Sequence, residues 1–451
     1  MSSPWRVDNR PNPLALLLLG SALLALLQQQ VLQHRPPRLL QLHGDGASSG
    51  PAALDLRFSR TMENTTLAAA SRLEPPLRHQ WLGEGNPLRL LINPGQRLTT
   101  PLLLELRGRD RRGLALRPQR WHWDPRPRLL AVVPVGSGEQ LQLKGHDGRW
   151  RPIAPVLPRI QTVQPLGDGS GVALVSARQN STIGEHHDLW LLPLQQRNLD
   201  RGNLREPRAG QLQQLNHEPL IFAHLSSNRR GDLLVQSSSN SSPSGSTWLL
   251  QPDNRRLPIP LQASGPMQLL PEGGSLVVPE SEGLSLQTLP GRPAKRQLLP
   301  GSRDLSGFCP VSGRALLVRH WPDFRRSLEL VEPGEPPRQL WLGSDAIHAS
   351  ACDRGGERVW LLLSQWRGQQ RSELLALDRR GRVLQRRVLS GWQVEPGTPL
   401  QFDPTSRQLL VTLRPLTTAI QPARPVLIDA DTLNLRPQQQ PARLALWLPA
   451  G

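Results

Sequence analysis

Past residue 50 the apolar and polar positions alternate in short bursts, the period of a half-buried strand rather than of a helix. "LDLRF" (54–58) puts Leu54, Leu56 and Phe58 on one face. The runs "PLRLLI" (87–92), "PLLLELRG" (101–108), "RLLAVVPV" (128–135) and "EQLQLKG" (139–145) follow, separated by turn signals such as Asn93-Pro94-Gly95 and Asp110-Arg111-Arg112-Gly113. This spacing of short strands predicts a β-sandwich over residues 53–155.

Beyond it one design recurs six times, a turn of small and polar residues followed by an apolar strand. The copies are "PLGDGSGVALVS" (165–176), "SSNRRGDLLVQ" (226–236), "LPEGGSLVVP" (270–279), "CPVSGRALLVR" (309–319), "CDRGGERVWLLL" (352–363) and "DPTSRQLLVT" (403–412). Taking Gly171, Gly231, Gly274, Gly313, Gly356 and Ser406 as equivalent gives a repeat of about 40 residues. Each copy continues into a strand, a turn and a strand, as in "ELLALDRRGRVLQ" (373–385) and "PVLIDADTLNL" (425–435). Asp253, Asp378 and Asp429 sit in those turns, where a short carboxylate bonds the backbone N–H groups that follow. Four strands per unit in six units predict a six-bladed β-propeller over 156–451, so the fold class is all-β.

One segment departs from this pattern. Leu14–Leu27 is uninterruptedly apolar, follows Arg6 and Arg10, and with Gln28–Leu32 approaches the bilayer thickness. Residues 1–33 therefore read as a signal anchor or signal peptide. The anchor is favoured because the best small-residue cleavage site, Gly20-Ser21-Ala22, lies inside the run. The expectation is membrane contact through residues 13–32, a flexible linker over 34–52, and export of the bulk of the chain to the periplasm or cell surface.

The formal net charge of +18 raises the question of nucleic acid. The basic residues are nearly all Arg, with Lys144 and Lys295 the two lysines, while Tyr is absent and Leu, Pro, Ala and Gly abound. That joint skew follows GC-rich codons, and the arginines are dispersed through turns and strand ends instead of forming a stripe, which argues against a nucleic-acid partner.

Two resemblances sharpen the picture. "LRFSRTMENTTL", Trp81, "NPLRLLI" and "LELRGRDRRGLAL" resemble the bacterial Ig-like domain of S-layer and other envelope proteins, which implies a spacer or adhesive module. "FDPTSRQLLV" with "PVLIDADTLNL", and "FCPVSGRALLV" with "SLELVEPGEPPRQL", are similar to the TolB-type six-bladed propeller family. Phe308 and Phe402 take its aromatic position, Pro310 and Pro404 its Pro position, Gly313 and Gly356 its Gly position. That resemblance implies a fold, not an activity.

No nucleophile elbow, phosphate-binding Gly loop or zinc-binding helix motif occurs, and no residue reads as catalytic. In "GEHHDLW" (184–190), His186, His187 and Asp188 are candidate metal ligands beside Glu185, but adjacent residues of a strand point to opposite faces, so no metal site is expected. No cofactor is expected either. Trp121, Trp123 and Trp150 are candidates for an exposed aromatic patch. Cys309 and Cys352, the two cysteines of the chain, hold the same position in consecutive repeats. They form a disulfide if that position brings their Cα atoms within about 7 Å, and are otherwise two separate buried thiols. The functional expectation is a membrane-anchored envelope binding protein with a protein, peptide or glycan partner. The alternative is a propeller enzyme, a hydrolase, lyase or quinone-dependent dehydrogenase, with its site at the channel mouth.

Overall fold

The computed structural model describes residues 13–45, 50–178, 186–310, 313–366, 370–417 and 421–450. Two four-stranded antiparallel sheets make the first body. One runs Leu39–Asp45, Ala53–Phe58, Leu88–Ile92, His79–Leu82 in spatial order, the other Leu199–Asp200, Gln119–Trp123, Leu102–Leu106, Arg72–Glu74. Leu54, Leu56 and Phe58 face Leu102, Leu104 and Leu106 across one apolar core, as the alternation requires. Leu39–Asp45 lies within the segment expected to be a flexible linker, yet it pairs along Ala53–Phe58 as an edge strand.

The second body is a β-propeller. Among the described residues it has seven blades, one more than the repeat predicts. Six are contiguous and open with the innermost strands Ile160–Pro165, Leu220–Ser227, Gln268–Leu269, Arg303–Phe308, Ala346–Cys352 and Gln401–Asp403. We number these blades 2 to 7. Blade 1 is composite: Arg128–Val135, Gly138–Lys144 and Trp150–Pro152 supply three strands, and the C-terminal Leu444–Leu448 pairs with the first of them, Leu446 opposite Leu130. The runs at 128–135 and 139–145 thus leave the sandwich and close the ring. Their alternation is the same in either setting, so only the partner strand, more than 300 residues away, assigns them.

Apolar clusters fill the seams between most successive blades. Leu130, Val132, Val172, Leu174 and Leu446 join blades 1 and 2, while Trp360, Leu362, Leu409 and Val426 join blades 6 and 7. Trp360 is buried there, stacked on Phe402 with ring centroids 4.7 Å apart, and its indole N–H donates to the Ala430 carbonyl at 3.2 Å.

The N-terminal apolar segment forms the helix Pro13–His34, with Leu14, Leu17, Leu18, Leu19, Leu23, Leu24, Leu26 and Leu27 exposed. Among the described residues no helix is long and apolar enough to cross a membrane, so the anchor expectation finds no support there. The physical reason is length: the apolar run stops at Leu27, and Leu14–Leu27 covers about 21 Å at 1.5 Å per residue, against a hydrocarbon core of about 30 Å. Arg6 and Arg10 lie outside the described residues.

Candidate functional site at the sandwich–propeller junction

In an antiparallel blade the turn after the innermost strand and the turn after the third strand emerge at the same end. The sandwich sits on that face. Leu98 N–H donates to the Thr405 carbonyl of blade 7 at 2.9 Å, and Arg354 of blade 6 donates through Nη2 to the Pro51 carbonyl at 3.1 Å. Blade 2 contributes Leu199–Asp200, the edge strand of the second sandwich sheet, and Arg201, whose guanidinium lies 4.9 Å from the Trp121 ring centroid.

An arginine–carboxylate knot locks the junction. Asp431 receives Arg358 of blade 6 at 2.7 Å, Arg407 of blade 7 at 2.6 Å and Arg97 of the sandwich at 2.5 Å, and Arg97 also reaches Asp429 at 2.5 Å. The Arg407 hydrogen bond, outweighing burial and helped by Arg97, holds the Asp431 carboxyl well below the usual range. Burial pushes Asp429 up, but bonds from Arg97 and from Thr432 outweigh it and bring the group down to about 2. Asp429 also has the turn role its position predicts, accepting from the Asp431 and Thr432 amides at 3.0 and 2.8 Å.

Two cavities open beside the knot. The smaller, ≈ 300 Å³, is walled by Gly44, Ala53, Trp123, Arg354, Phe402 and Trp447. Burial lowers the Arg354 guanidinium to about 10, with Arg229 adding to the shift and Asp403 opposing it. Asp403 is fully buried, which pushes its carboxyl up, while Thr405 N, Thr405 Oγ1 and Ser406 N donate to it at 2.8, 2.7 and 3.1 Å.

The larger cavity, ≈ 420 Å³, lies between the sandwich and blades 1 and 7 and is walled by Arg97, Arg126, Arg128, Lys144, His146 and Arg436. Asp124 anchors one side: although burial pushes its carboxyl up, Arg126 Nε at 2.8 Å and His146 Nδ1 at 3.0 Å keep it well below the ordinary carboxylate range. Buried Arg128 pairs with Glu206 of blade 2 at 3.0 Å, and Glu206 also accepts the His146 amide at 2.8 Å.

A third cavity, ≈ 380 Å³, lies at the opposite end of blades 5 to 7 and holds Asp304, Ser306, His320, His348 and Ser350. His320 Nε2 is 2.7 Å from Asp304 Oδ2, and the Ser306 and Ser350 hydroxyls bond each other across the blade seam at 2.7 Å. Desolvation by the surrounding protein depresses the His348 imidazole.

The residues singled out in the sequence are elsewhere. His187 and Asp188 are buried on the third strand of blade 2, where Asp188 accepts from Gln214 at 3.1 Å and Asn216 at 3.4 Å. His186 directly precedes that strand, and Glu185 lies outside the described residues. Among the described residues no three His, Cys, Asp or Glu side chains stand close enough to share a metal ion. Cys309 and Cys352 lie in the seam of blades 5 and 6, disulfide-bonded with Cα atoms 5.3 Å apart. The aromatic patch does not form: Trp123 is sandwich core, and Trp121 and Trp150 pack against apolar clusters. The Asp124–His146–Arg128–Glu206 network and the Asp431 knot were not visible in the sequence, because their members come from segments up to 334 residues apart and share no local motif.

No family model matches the chain, and no curated protein is similar to it in sequence. Solved structures with a similar fold include the β-propeller domain of the trilobed protease from Pyrococcus furiosus, at 9% identity and TM-score 0.44, covering 76% of this chain and 97% of that one. TolB from Acinetobacter baumannii is similar at 12% identity and TM-score 0.38 (78% and 81% covered), and the BP39L lectin from Burkholderia pseudomallei at 12% and 0.45 (70% and 96%). These likenesses are to propellers, and at such identities they carry nothing about ligand or activity. The sheet topology establishes an all-β protein built around a β-propeller, the fold that these neighbours share.

Proposed function

We propose that this is a binding protein of an exported compartment, in which an Ig-like sandwich acts as a fixed buttress and the open arc of the propeller's turn face takes a protein, peptide or glycan. The observation that carries this reading is the asymmetry of that face. The sandwich occupies the turns of blades 2, 6 and 7, while the turns of blades 3 to 5 present exposed charged side chains on tight, glycine-containing loops, among them Arg229, Arg230 and Glu272. Arg229 is braced by Glu272 of the next blade at 2.6 Å and by its amide on the Pro271 carbonyl at 2.9 Å, so the surface is preorganised. The export element is supported by the Cys309–Cys352 bond, since disulfides persist in oxidising compartments.

The test is cross-linking of the purified chain to envelope extract, together with binding to a glycan panel, for wild type and the Arg229→Glu/Arg230→Glu variant. Specific capture that the variant loses at unchanged thermal stability supports the reading; identical capture by both sinks it. Thiol counting on the unfolded, unreduced protein should find none. The enzyme alternative is favoured by the third cavity alone, with its two hydroxyls and two imidazoles. Labelling of Ser306 or Ser350 by a fluorophosphonate probe would replace the binding reading with a hydrolase.

A further inference from the structure

We propose that the larger junction cavity is a binding site for an oxyanion, a phosphate or carboxylate group of a small molecule, held by Lys144 and Arg436. The proposal stands apart from the partner reading, since a chain that captures no macromolecule could still take a small anion here.

Most charges around the cavity are already spent. Arg97 is committed to Asp429 and Asp431, Arg126 to Asp124, and Arg128 to Glu206. The two carboxylates on the wall are spent as well, Asp124 on Arg126 and His146, Asp403 on Thr405 and Ser406. Lys144 and Arg436 remain. Lys144 Nζ has one neutral partner, the Gln438 side-chain oxygen at 2.7 Å, and neither cation forms an ion pair among the described residues. Gln438 lies two residues beyond Arg436, so the ammonium is held against the segment that carries the guanidinium.

A half-buried ammonium without a counter-ion is an unfavourable arrangement that an anion would relieve. Desolvation accordingly depresses the Lys144 pKa. The identity of the residue points the same way. In a chain that uses Arg almost everywhere, Lys144 is one of two lysines, and the other, Lys295, is exposed on blade 4. A compact ammonium and a planar guanidinium on the wall of one cavity give a point charge and a fork, a combination suited to an oxyanion. The volume of ≈ 420 Å³ admits a small phosphorylated or polycarboxylic molecule.

The experiment is isothermal titration of the full chain with inorganic phosphate, inorganic pyrophosphate and citrate, at constant ionic strength set with chloride. Lys144→Gln, Arg436→Gln and, as a control, Lys295→Gln are titrated alongside. Saturable binding of at least one probe is expected for wild type and Lys295→Gln, weakened at least tenfold in both cavity variants, with unfolding midpoints without probe unchanged. Arg436 is exposed, so that variant decides if Lys144→Gln fails to fold. Preference for pyrophosphate over citrate assigns a phosphate ligand, the reverse a carboxylate. Equal affinity in wild type and the cavity variants, or no saturable binding of any of the three probes to wild type, overturns the proposal.

Discussion

The seam between blades 5 and 6 and the seam between blades 4 and 5 are built by opposite means from neighbouring sheets. In the first, Leu316, Leu328 and Leu330 of blade 5 meet Val359, Leu361 and Leu375 of blade 6, and the Cys309–Cys352 bond crosses the same core. In the second, no apolar cluster spans the two blades among the described residues. The seam instead holds a cavity of ≈ 360 Å³ on whose wall stands Arg303 of blade 5, ion-paired at 2.8 Å with Glu329 of the same blade, their side chains 7% and 5% exposed. A propeller ring therefore needs no uniform adhesive. Apolar burial tolerates loss of a contact in proportion to the area lost, whereas a buried ion pair is costly to make and far costlier to half remove. The polar seam should therefore be the brittle one.

Four experiments probe that contrast, beginning with the largest effect. Glu329→Ala leaves Arg303 buried beside a cavity and should cost about 3–5 kcal/mol in denaturant unfolding. The apolar swap Arg303→Met/Glu329→Leu should be nearly neutral or stabilising, which separates a pairing requirement from a packing one. Cys309→Ala/Cys352→Ala releases a loop with sequence separation 43 and should cost about 2–4 kcal/mol while the tryptophan bands of the near-ultraviolet dichroism stay native. If this loss exceeds that of Glu329→Ala, the polar seam is not the brittle one. Asp431→Asn weakens the knot that joins sandwich to ring. The carboxylate is 32% exposed, so solvent screening trims the expected loss to about 1–2 kcal/mol, and hydrogen exchange should rise first around Arg97 and Arg407.

Acid gives the smallest effect. Asp429 and Asp431 have folded pKa values below the ordinary carboxylate value of about 4, so their stabilisation is complete above that pH and is lost as pH falls toward about 2. Thermal midpoints should decline across this window, and less steeply in Arg97→Gln. An equal slope in that variant would assign the acid sensitivity to other carboxylates.

Part of this design was legible in the sequence. The turns that open blades 3, 5 and 6 place Gly231, Gly313 and Gly356 at φ of 81°, 84° and 67°, a region that side chains other than Gly rarely enter, so the turn left a residue signature. Blade 7 shows the limit of that signal: the left-handed position is taken by Arg407 at φ 57°, one residue past Ser406, which the repeat aligns with those glycines. Arg407 is bonded there to Asp431, a contact that helps offset the backbone cost and that no local pattern announces.

Period-two alternation and small-residue turns are local, so strand identity, the contiguous blades and the all-β class were written in the chain itself. The blade count was not, because the closing blade joins Leu444–Leu448 to strands that begin at Arg128 and alternation is blind to a distant partner. The linker that became an edge strand, the partners of Asp431, and the isolation of Lys144 and Arg436 were likewise decided by tertiary structure. A charged residue reads the same in sequence whether it is paired, free or buried, and only the fold determines which carboxylate reaches which cation.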